Sequence, residues 1–271
     1  MSPPDAPSPL AQPLPWNLVA DAYVDEVMPH FERYAEEALR TVGVAAGQRV
    51  VDVATGPGTL ALLAARRGAR VDALDFSDEM IARLRARAAA AGVAIDATTG
   101  DGMALPYPDA TFDAGFSMFG LFVFADRDRG FRELRRVLVP GGRAVVTSWP
   151  PFARSPALST MMSAVRARLP GLQAGSADAP LGDAATFTAE MTAAGFRDVA
   201  VREVEHTRRY ADADDFWSSM SRTLPPLVML ARKLGDGWPT VAAGLQADLR
   251  AALGDGPLDV PMPAWLGVGT A

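Results

Sequence analysis

The chain has 271 residues, 49% of them hydrophobic, and carries a net charge of −6 with arginine as almost its only cation. That length suits one large α/β domain, and an acidic chain with scattered arginines argues against nucleic-acid binding. The absence of cysteine excludes disulfides, cysteine metal sites and thiol nucleophiles. No metal site, membrane span or signal peptide is recognisable, so we expect a cytoplasmic protein, with a composition typical of bacteria.

Residues 1–15 contain six prolines, which predicts a disordered tail. Apolar residues then recur at helical spacing from Trp16 to Arg40, and Pro29 should divide this stretch into two pieces. Tyr23 and Phe31 lie on these predicted helices. Together with Trp16 they either pack on the core or form part of a lid over a ligand.

The strongest local signal is the segment from Arg49 to Leu60. β-Branched residues predict a short buried strand, which ends at glycines and continues as an alanine- and leucine-rich helix. A strand, a glycine turn and a helix form the first half of a βαβ unit, where a ligand approaches the backbone closely. Asp52 and the missing third glycine depart from the dinucleotide fingerprint. A carboxylate at this position suits a cationic ligand better than a pyrophosphate.

The next strands also end at polar residues. Asp75 follows the second strand and lies 17 residues after Gly58, close to where a doubly wound fold binds ribose hydroxyls. Asp101 follows the third strand between two glycines, and either accepts from a ligand amine or forms an ordinary Asp-Gly turn. Ser117 lies near the end of a fourth strand predicted over Phe112–Phe119.

The order of elements predicts a Rossmann-like, doubly wound α/β fold with a seven-stranded, mostly parallel sheet. Ligands in such folds bind outside the carboxyl ends of the strands, where the polar residues named above fall. We expect one domain over residues 16–271 that closes with a hairpin. Its predicted additions are N-terminal lid helices at 16–42 and helical insertions over the active site at 150–183 and 212–256.

Several segments in the right order resemble the class I S-adenosylmethionine-dependent methyltransferases, of the small-molecule type similar to the ubiquinone/menaquinone-biosynthesis methyltransferases. Residues 52–58 resemble the family's acidic nucleotide loop, with Ala54 in place of its first glycine. Residues 100–106 resemble the loop after the third strand, and residues 131–143 the signature before the fifth. The resemblance covers residues 16–149 in motifs and 186–271 in layout.

This resemblance implies S-adenosylmethionine as the cofactor and assigns residues to its methionine half. The backbone of Ala54, Gly56 and Gly58 would pass along this half, and Asp52 would favour its ammonium group. Ser117 would contribute backbone near the same amino acid moiety.

Other residues would bind the adenosine half. Asp75 would accept from both ribose hydroxyls, with Phe76 beside the adenine. Asp101 would accept from the adenine amine, and the backbone of Gly102 and Met103 would frame the ring.

The implied reaction is methyl transfer to a small, apolar or aromatic metabolite by in-line displacement. His30 is the candidate base, and Tyr23 is a second candidate catalytic group that closes over the site. An apolar acceptor pocket would use Trp16, Phe119 and Trp149. Two alternatives remain, an NAD-dependent oxidoreductase and a protein that uses S-adenosylmethionine without methyl transfer. We expect a monomer or homodimer with no nucleic-acid partner.

Overall fold

The computed structural model describes residues 8–170 and 180–271. Part of the predicted tail lies outside these residues, but regular structure begins earlier than the expected boundary at residue 15. Pro9–Ala11 forms a 3₁₀ turn, and the first helix begins at Pro13. The indole Nε1 of Trp16 donates to the Leu10 carbonyl at 2.9 Å, which ties this turn to the helix.

Seven strands form one sheet in the order β3-β2-β1-β4-β5-β7-β6. β7 runs antiparallel to both of its neighbours, and the other pairs are parallel. The predicted seven-stranded, mostly parallel, doubly wound sheet is therefore confirmed. The strands are β1 Arg49–Val53, β2 Arg70–Asp75, β3 Asp96–Thr99, β4 Phe112–Ser117, β5 Leu138–Ser148, β6 Arg197–Tyr210 and β7 Leu258–Thr270.

Helices cover both faces of the sheet, and several begin at a side-chain cap. Asp126, Asp183 and Asp212 each accept a hydrogen bond from a backbone N–H in the first turn of the helix that follows. The helices are α1 Pro13–Ala22, α2 Met28–Val42, α3 Thr59–Arg66, α4 Asp78–Ala91, α5 Arg127–Arg136, α6 Pro156–Arg168, α7 Ala184–Ala193, α8 Ala213–Thr223, α9 Pro225–Leu234 and α10 Trp238–Leu253.

Neighbouring residues of β1 point to opposite faces and enter different cores. Val50 packs in the cluster that includes Leu60 and Leu84, while Val51 packs with Phe131 on the other face. This alternation explains the continuous apolar sequence of β1, because a parallel central strand is buried on both sides. α6, α8, α9 and α10 form a third cluster together with Tyr210 of β6 and Val260 of β7.

The predicted division of the N-terminal helix is confirmed, with a π-helical turn over Tyr23–Val27 between α1 and α2. Pro29 lies in the first turn of α2 and has no N–H to donate to the preceding turn. The backbone widens there, and the Met28 N–H bonds to the Tyr23 carbonyl, five residues back.

The fourth strand is shorter than expected and ends at Ser117 instead of Phe119. Phe119 has a positive φ of 56°, which removes it from the strand. Its N–H donates to the Thr147 hydroxyl at 2.9 Å instead of continuing the ladder. Within residues 8–170 and 180–271, no helix combines the length and apolarity needed to cross a bilayer.

Candidate functional site

A cavity lies at the carboxyl edge of the parallel strands and contains about 970 Å³ of space, part of it open to solvent. All of its lining residues fall between positions 11 and 125. None comes from the described parts of the predicted insertions at 150–183 and 212–256. Among these insertion residues, α9 packs against α1, which itself lines the cavity through Trp16.

Most of the sequence-predicted site residues meet in this cavity. Those that line it are Trp16, Tyr23, Asp52, Ala54, Gly56, Asp75, Phe76, Asp101, Gly102, Met103 and Phe119. Four others do not line it, namely Gly58, Ser117, His30 and Trp149.

The loop between β1 and α3 has three positive φ angles, 57° at Ala54, 55° at Gly56 and 87° at Gly58. Alanine is strained in this conformation, and glycine is not. A Cβ at Gly58 would lie 2.1 Å from the Leu84 side chain. Gly58 therefore permits close packing of the loop on α4, although it lies outside the cavity lining.

Asp52 lies at the base of the cavity and is 1% exposed. The Thr55 hydroxyl donates to its Oδ2 at 2.7 Å, while Oδ1 has no protein partner. Burial raises the pKa of Asp52 to about 7, although the bond from Thr55 opposes the shift. A buried carboxylate oxygen without a donor suits a cationic ligand group, which would supply both charge and hydrogen bonds.

Asp75 binds the backbone of two loops at the carboxyl edge of the sheet, the β1–α3 loop and the β2–α4 loop. Its Oδ2 accepts from the Gly56 N–H at 2.8 Å, and its Oδ1 from the Ser77 N–H at 2.9 Å. Burial raises the pKa of this carboxyl to about 6, against the lowering effect of these bonds. Each carboxylate oxygen has more than one lone pair, so acceptor capacity remains for ligand hydroxyls.

Asp101 adopts the turn that its sequence context allows. Its Oδ1 accepts from the Met103 N–H at 2.8 Å, and the residue is exposed. A Cβ at Gly102 would meet the Phe124 ring at 2.4 Å, so this position requires glycine for packing. The turn and a ligand contact are compatible, because the turn uses only one carboxylate oxygen.

An aromatic cluster closes one end of the cavity. Phe119 stacks on Trp149 with ring centroids 4.0 Å apart and planes 14° apart. Phe31 lies 4.7 Å from Phe119, and Tyr23 meets Phe31 edge-on at 5.8 Å. Trp149 supports Phe119 instead of lining the cavity. Burial, and next the Asp75 charge, raise the pKa of Tyr23 above its usual range, so this phenol stays protonated.

His30 is 8% exposed and packs against Tyr34, with ring centroids 5.5 Å apart. Burial, followed by the Arg208, Arg33 and His206 charges, lowers its pKa to about 4, so it is neutral at pH 7. Its Nε2 has no hydrogen-bond partner. His30 is absent from the cavity lining but lies next to the lining residue Phe31, with ring centroids 6.2 Å apart.

Ser117 is fully buried beside the cavity, and its hydroxyl has no partner. Two further residues, Thr55 and Thr147, hold site residues through hydrogen bonds and were not expected from the sequence. Thr55 follows Asp52 by three residues, a spacing that indicates a local side-chain bond. Thr147 lies 28 residues from the Phe119 N–H that it binds, so local sequence contains no signal for this contact.

Part of the chain is similar to known methyltransferases. Residues 50–142 match the model of a family described as a methyltransferase domain. The demethylmenaquinone methyltransferase of Thermus thermophilus is 42% identical over 121 residues, 44% of this chain and 55% of the relative. That of Deinococcus radiodurans is 44% identical over 108 residues, 39% of this chain and 45% of the relative. The chain thus spans about half the length of these curated relatives.

Solved structures share the fold over nearly the whole chain. The [4+2]-cyclase SpnF has a TM-score of 0.64 at 22% identity, covering 98% of this chain and 97% of its own. The YcgJ protein of Bacillus subtilis has a TM-score of 0.60 at 20% identity, covering 88% of this chain and 97% of its own. At these identities the similarity establishes the architecture.

Proposed function

We propose that this chain, whose residues 50–142 match a family model described as a methyltransferase domain, transfers a methyl group from S-adenosylmethionine to a small apolar or aromatic metabolite. The observation that supports the cofactor assignment is the pair of buried carboxylates in one cavity. Asp52 has an unpartnered oxygen, and Asp75 retains acceptor capacity. A cofactor with an ammonium group and two ribose hydroxyls would satisfy both.

In this proposal the β1–α3 loop binds the methionine half. The backbone of Ala54, Gly56 and Gly58 runs beside it, and Asp52 binds the ammonium group, held in orientation by Thr55. Ser117, at the end of β4, contributes its backbone near the amino acid moiety of the cofactor, and its side chain does not line the cavity.

The adenosine half lies toward β2 and β3. Asp75 accepts from the ribose hydroxyls beside Phe76, and Asp101 offers its free oxygen to the adenine amine. Gly102 and Met103, which line the same cavity, frame the ring.

The bound cofactor supplies an electrophilic methyl group on a positively charged sulfur. The chain then has to hold the acceptor in line and exclude water, which contributes up to roughly 7–11 kcal/mol in favourable cases. Phe31, Phe119 and Trp16 provide an apolar wall for this, with Trp149 behind it. Tyr23 stays protonated and orients the acceptor as a hydrogen-bond donor.

No basic side chain belongs to the cavity lining of the described residues. We therefore assign His30 no direct contact with the reacting atoms, and it stays the candidate base only for an acceptor that has to lose a proton. The aromatic wall and two curated relatives named for a demethylmenaquinone support an apolar acceptor with a ring. A cytoplasmic monomer or homodimer completes the proposal.

Calorimetric titration with S-adenosylmethionine, S-adenosylhomocysteine and NAD in parallel tests the cofactor. We expect micromolar binding of both adenosyl ligands and no binding of NAD. Binding of NAD alone would replace the proposal with a dinucleotide-dependent reaction.

Mass spectrometry of a panel of phenols, quinols, amines and thiols incubated with labelled S-adenosylmethionine then tests methyl transfer. Label in an apolar ring compound supports the full proposal. Binding without transfer to any member of the panel favours use of the cofactor without methylation.

A further inference from the structure

Ser77 lies at the junction of three elements and is fully buried. Its N–H donates to Asp75 Oδ1 at 2.9 Å, and its hydroxyl caps α4 by accepting from the Met80 N–H at 3.1 Å. The same hydroxyl donates to Oδ1 of Asn17 at 2.5 Å. One serine therefore connects the Asp75 carboxylate, the start of α4 and the helix α1.

The helix α1 forms one wall of the cavity. Trp16, the neighbour of Asn17, lines the cavity, and Tyr23 does so just beyond the end of the helix. α1 also packs through Val19 and Ala20 against Met80 of α4, with Val228 of α9 nearby. The position of α1 therefore decides how closely its aromatic residues cover a ligand.

Two polar contacts join α1 to α4, and they differ in their surroundings. Asp21 pairs with Arg83 at 2.6 Å, but the Asp21 side chain is 80% exposed. An ion pair in such a position contributes little, about 0–1 kcal/mol. The bond from Ser77 to Asn17 is part-buried and continues to Asp75.

We propose that Asn17 and Ser77 are positioning residues that couple closure of α1 over the cavity to the orientation of the cofactor-binding carboxylate Asp75. The inference rests on the proposed function, because it takes Asp75 as a ligand of the cofactor ribose. A ligand that orders Asp75 also orders Ser77, and this favours the position of α1 that offers Asn17 as an acceptor. By linkage, a docked α1 favours the Asp75 orientation that binds the cofactor.

The test compares Asn17→Leu, which removes the acceptor at similar volume, with Asp21→Ala, which breaks the other α1–α4 contact. S-adenosylhomocysteine is the probe, measured by calorimetry and stopped-flow dissociation. Loss of one buried hydrogen bond predicts about three- to tenfold weaker binding for Asn17→Leu, mainly through faster dissociation. Asp21→Ala should stay within about twofold of the parent protein.

Hydrogen exchange supplies a readout that a purely structural role would not change. In the parent protein, S-adenosylhomocysteine should slow exchange in both the 54–59 loop and residues 13–22. In Asn17→Leu, only the loop should gain protection. Asn17→Asp keeps an acceptor oxygen and should restore protection of residues 13–22, and thermal unfolding without ligand verifies that each variant is folded.

The outcomes separate the two proposals. Equal protection of α1 in Asn17→Leu and the parent, or equal loss of affinity in Asn17→Leu and Asp21→Ala, would overturn the coupling while leaving the cofactor site intact. If the parent protein does not bind S-adenosylhomocysteine, or Asp75→Asn binds it as well as the parent does, the proposed cofactor site itself fails.

Discussion

At the scale of single residues, two carboxylates share one cavity but have different surroundings. Asp75 accepts two backbone N–H bonds, from Gly56 and Ser77, whereas one oxygen of Asp52 has no partner. Burial raises the pKa of both, to about 6 and about 7. The ligand-free site therefore lacks a positive charge and hydrogen-bond donors for these carboxylates. The ammonium group and ribose hydroxyls of the proposed cofactor would supply both.

Asp75→Ala should weaken S-adenosylhomocysteine binding by much more than tenfold, because paired hydrogen bonds to a carboxylate are strong. Titration calorimetry measures the change. Asp72→Ala, on the same strand with its side chain half-buried, is the matched control and should leave the affinity unchanged. An unchanged affinity in Asp75→Ala would remove this residue from the site.

Asp52 should give cofactor binding a pH dependence. The ligand ammonium needs the ionised carboxylate, but about half of Asp52 is protonated near pH 7 in the free protein. Affinity for S-adenosylhomocysteine should therefore rise from pH 5 to pH 7.5, with a proton released on binding. Asp52→Asn should bind more weakly at pH 7.5 and lose much of this slope. A parent-like slope in Asp52→Asn would contradict the assignment.

His30→Ala tests the remaining base candidate once an acceptor is known. A role as general base predicts slower turnover, by up to about 10²–10⁴-fold, with nearly unchanged cofactor affinity. Since His30 packs on Tyr34, His30→Gln is a second variant that retains polar volume. Full activity in both variants would dismiss His30 as a base.

At the scale of elements, the site depends on how closely loops and helices approach each other. The β1–α3 loop lies against α4 at Gly58, where even one added carbon would meet Leu84. The β3–β4 loop approaches Phe124 in the same way at Gly102. Close approach to a neighbouring side chain therefore accounts for glycine at both positions, and at Gly58 the left-handed backbone conformation does so as well.

Gly58→Ala should lower the free energy of unfolding by about 2–4 kcal/mol, through left-handed backbone strain and overpacking against Leu84. Gly92→Ala is the control for strain alone, because Gly92 also has a positive φ, 64°, but no atom lies within 4 Å of an added Cβ. It should cost only about 1–2 kcal/mol. Denaturant unfolding measures the free energy of unfolding of both variants. An equal decrease in Gly58→Ala and Gly92→Ala would refute the packing role of Gly58.

At the scale of the whole molecule, the buried carboxylates link stability to pH. A carboxyl with a raised pKa binds more protons when folded, so its contribution to stability is fully present below its unfolded pKa of about 4 and is lost as pH rises. For Asp52 this loss extends through pH 7 and amounts to roughly 4 kcal/mol. Ionisation of the buried Asp52 therefore lowers the free energy of unfolding of the ligand-free protein.

The ligand-free protein should accordingly lose stability between pH 4 and pH 7 relative to Asp52→Asn, whose amide does not titrate. Thermal unfolding of the two proteins in parallel across this range isolates the Asp52 contribution, since their other groups are shared. Saturating S-adenosylhomocysteine should reduce the difference near pH 7. Parallel stability curves would show that Asp52 does not titrate in this window.

Local sequence determined the order and type of the main elements. The bounds of β7, Leu258–Thr270, follow from its alternation of apolar residues, and β1 follows from its valines. The Asp52–Gly58 turn also identified the sheet edge at which a ligand would bind. These features are readable because backbone propensity and burial periodicity act over a few neighbouring residues.

Only the tertiary structure decided which predicted residues face the cavity. Trp149 packs behind Phe119, His30 lies against Tyr34, and Val228 of α9 packs on α1. Likewise, Ser77 and Asn17 are 60 positions apart and meet only because α1 folds onto α4. The direction of a side chain depends on packing between elements distant in the chain, and periodicity within one element carries no information about that packing.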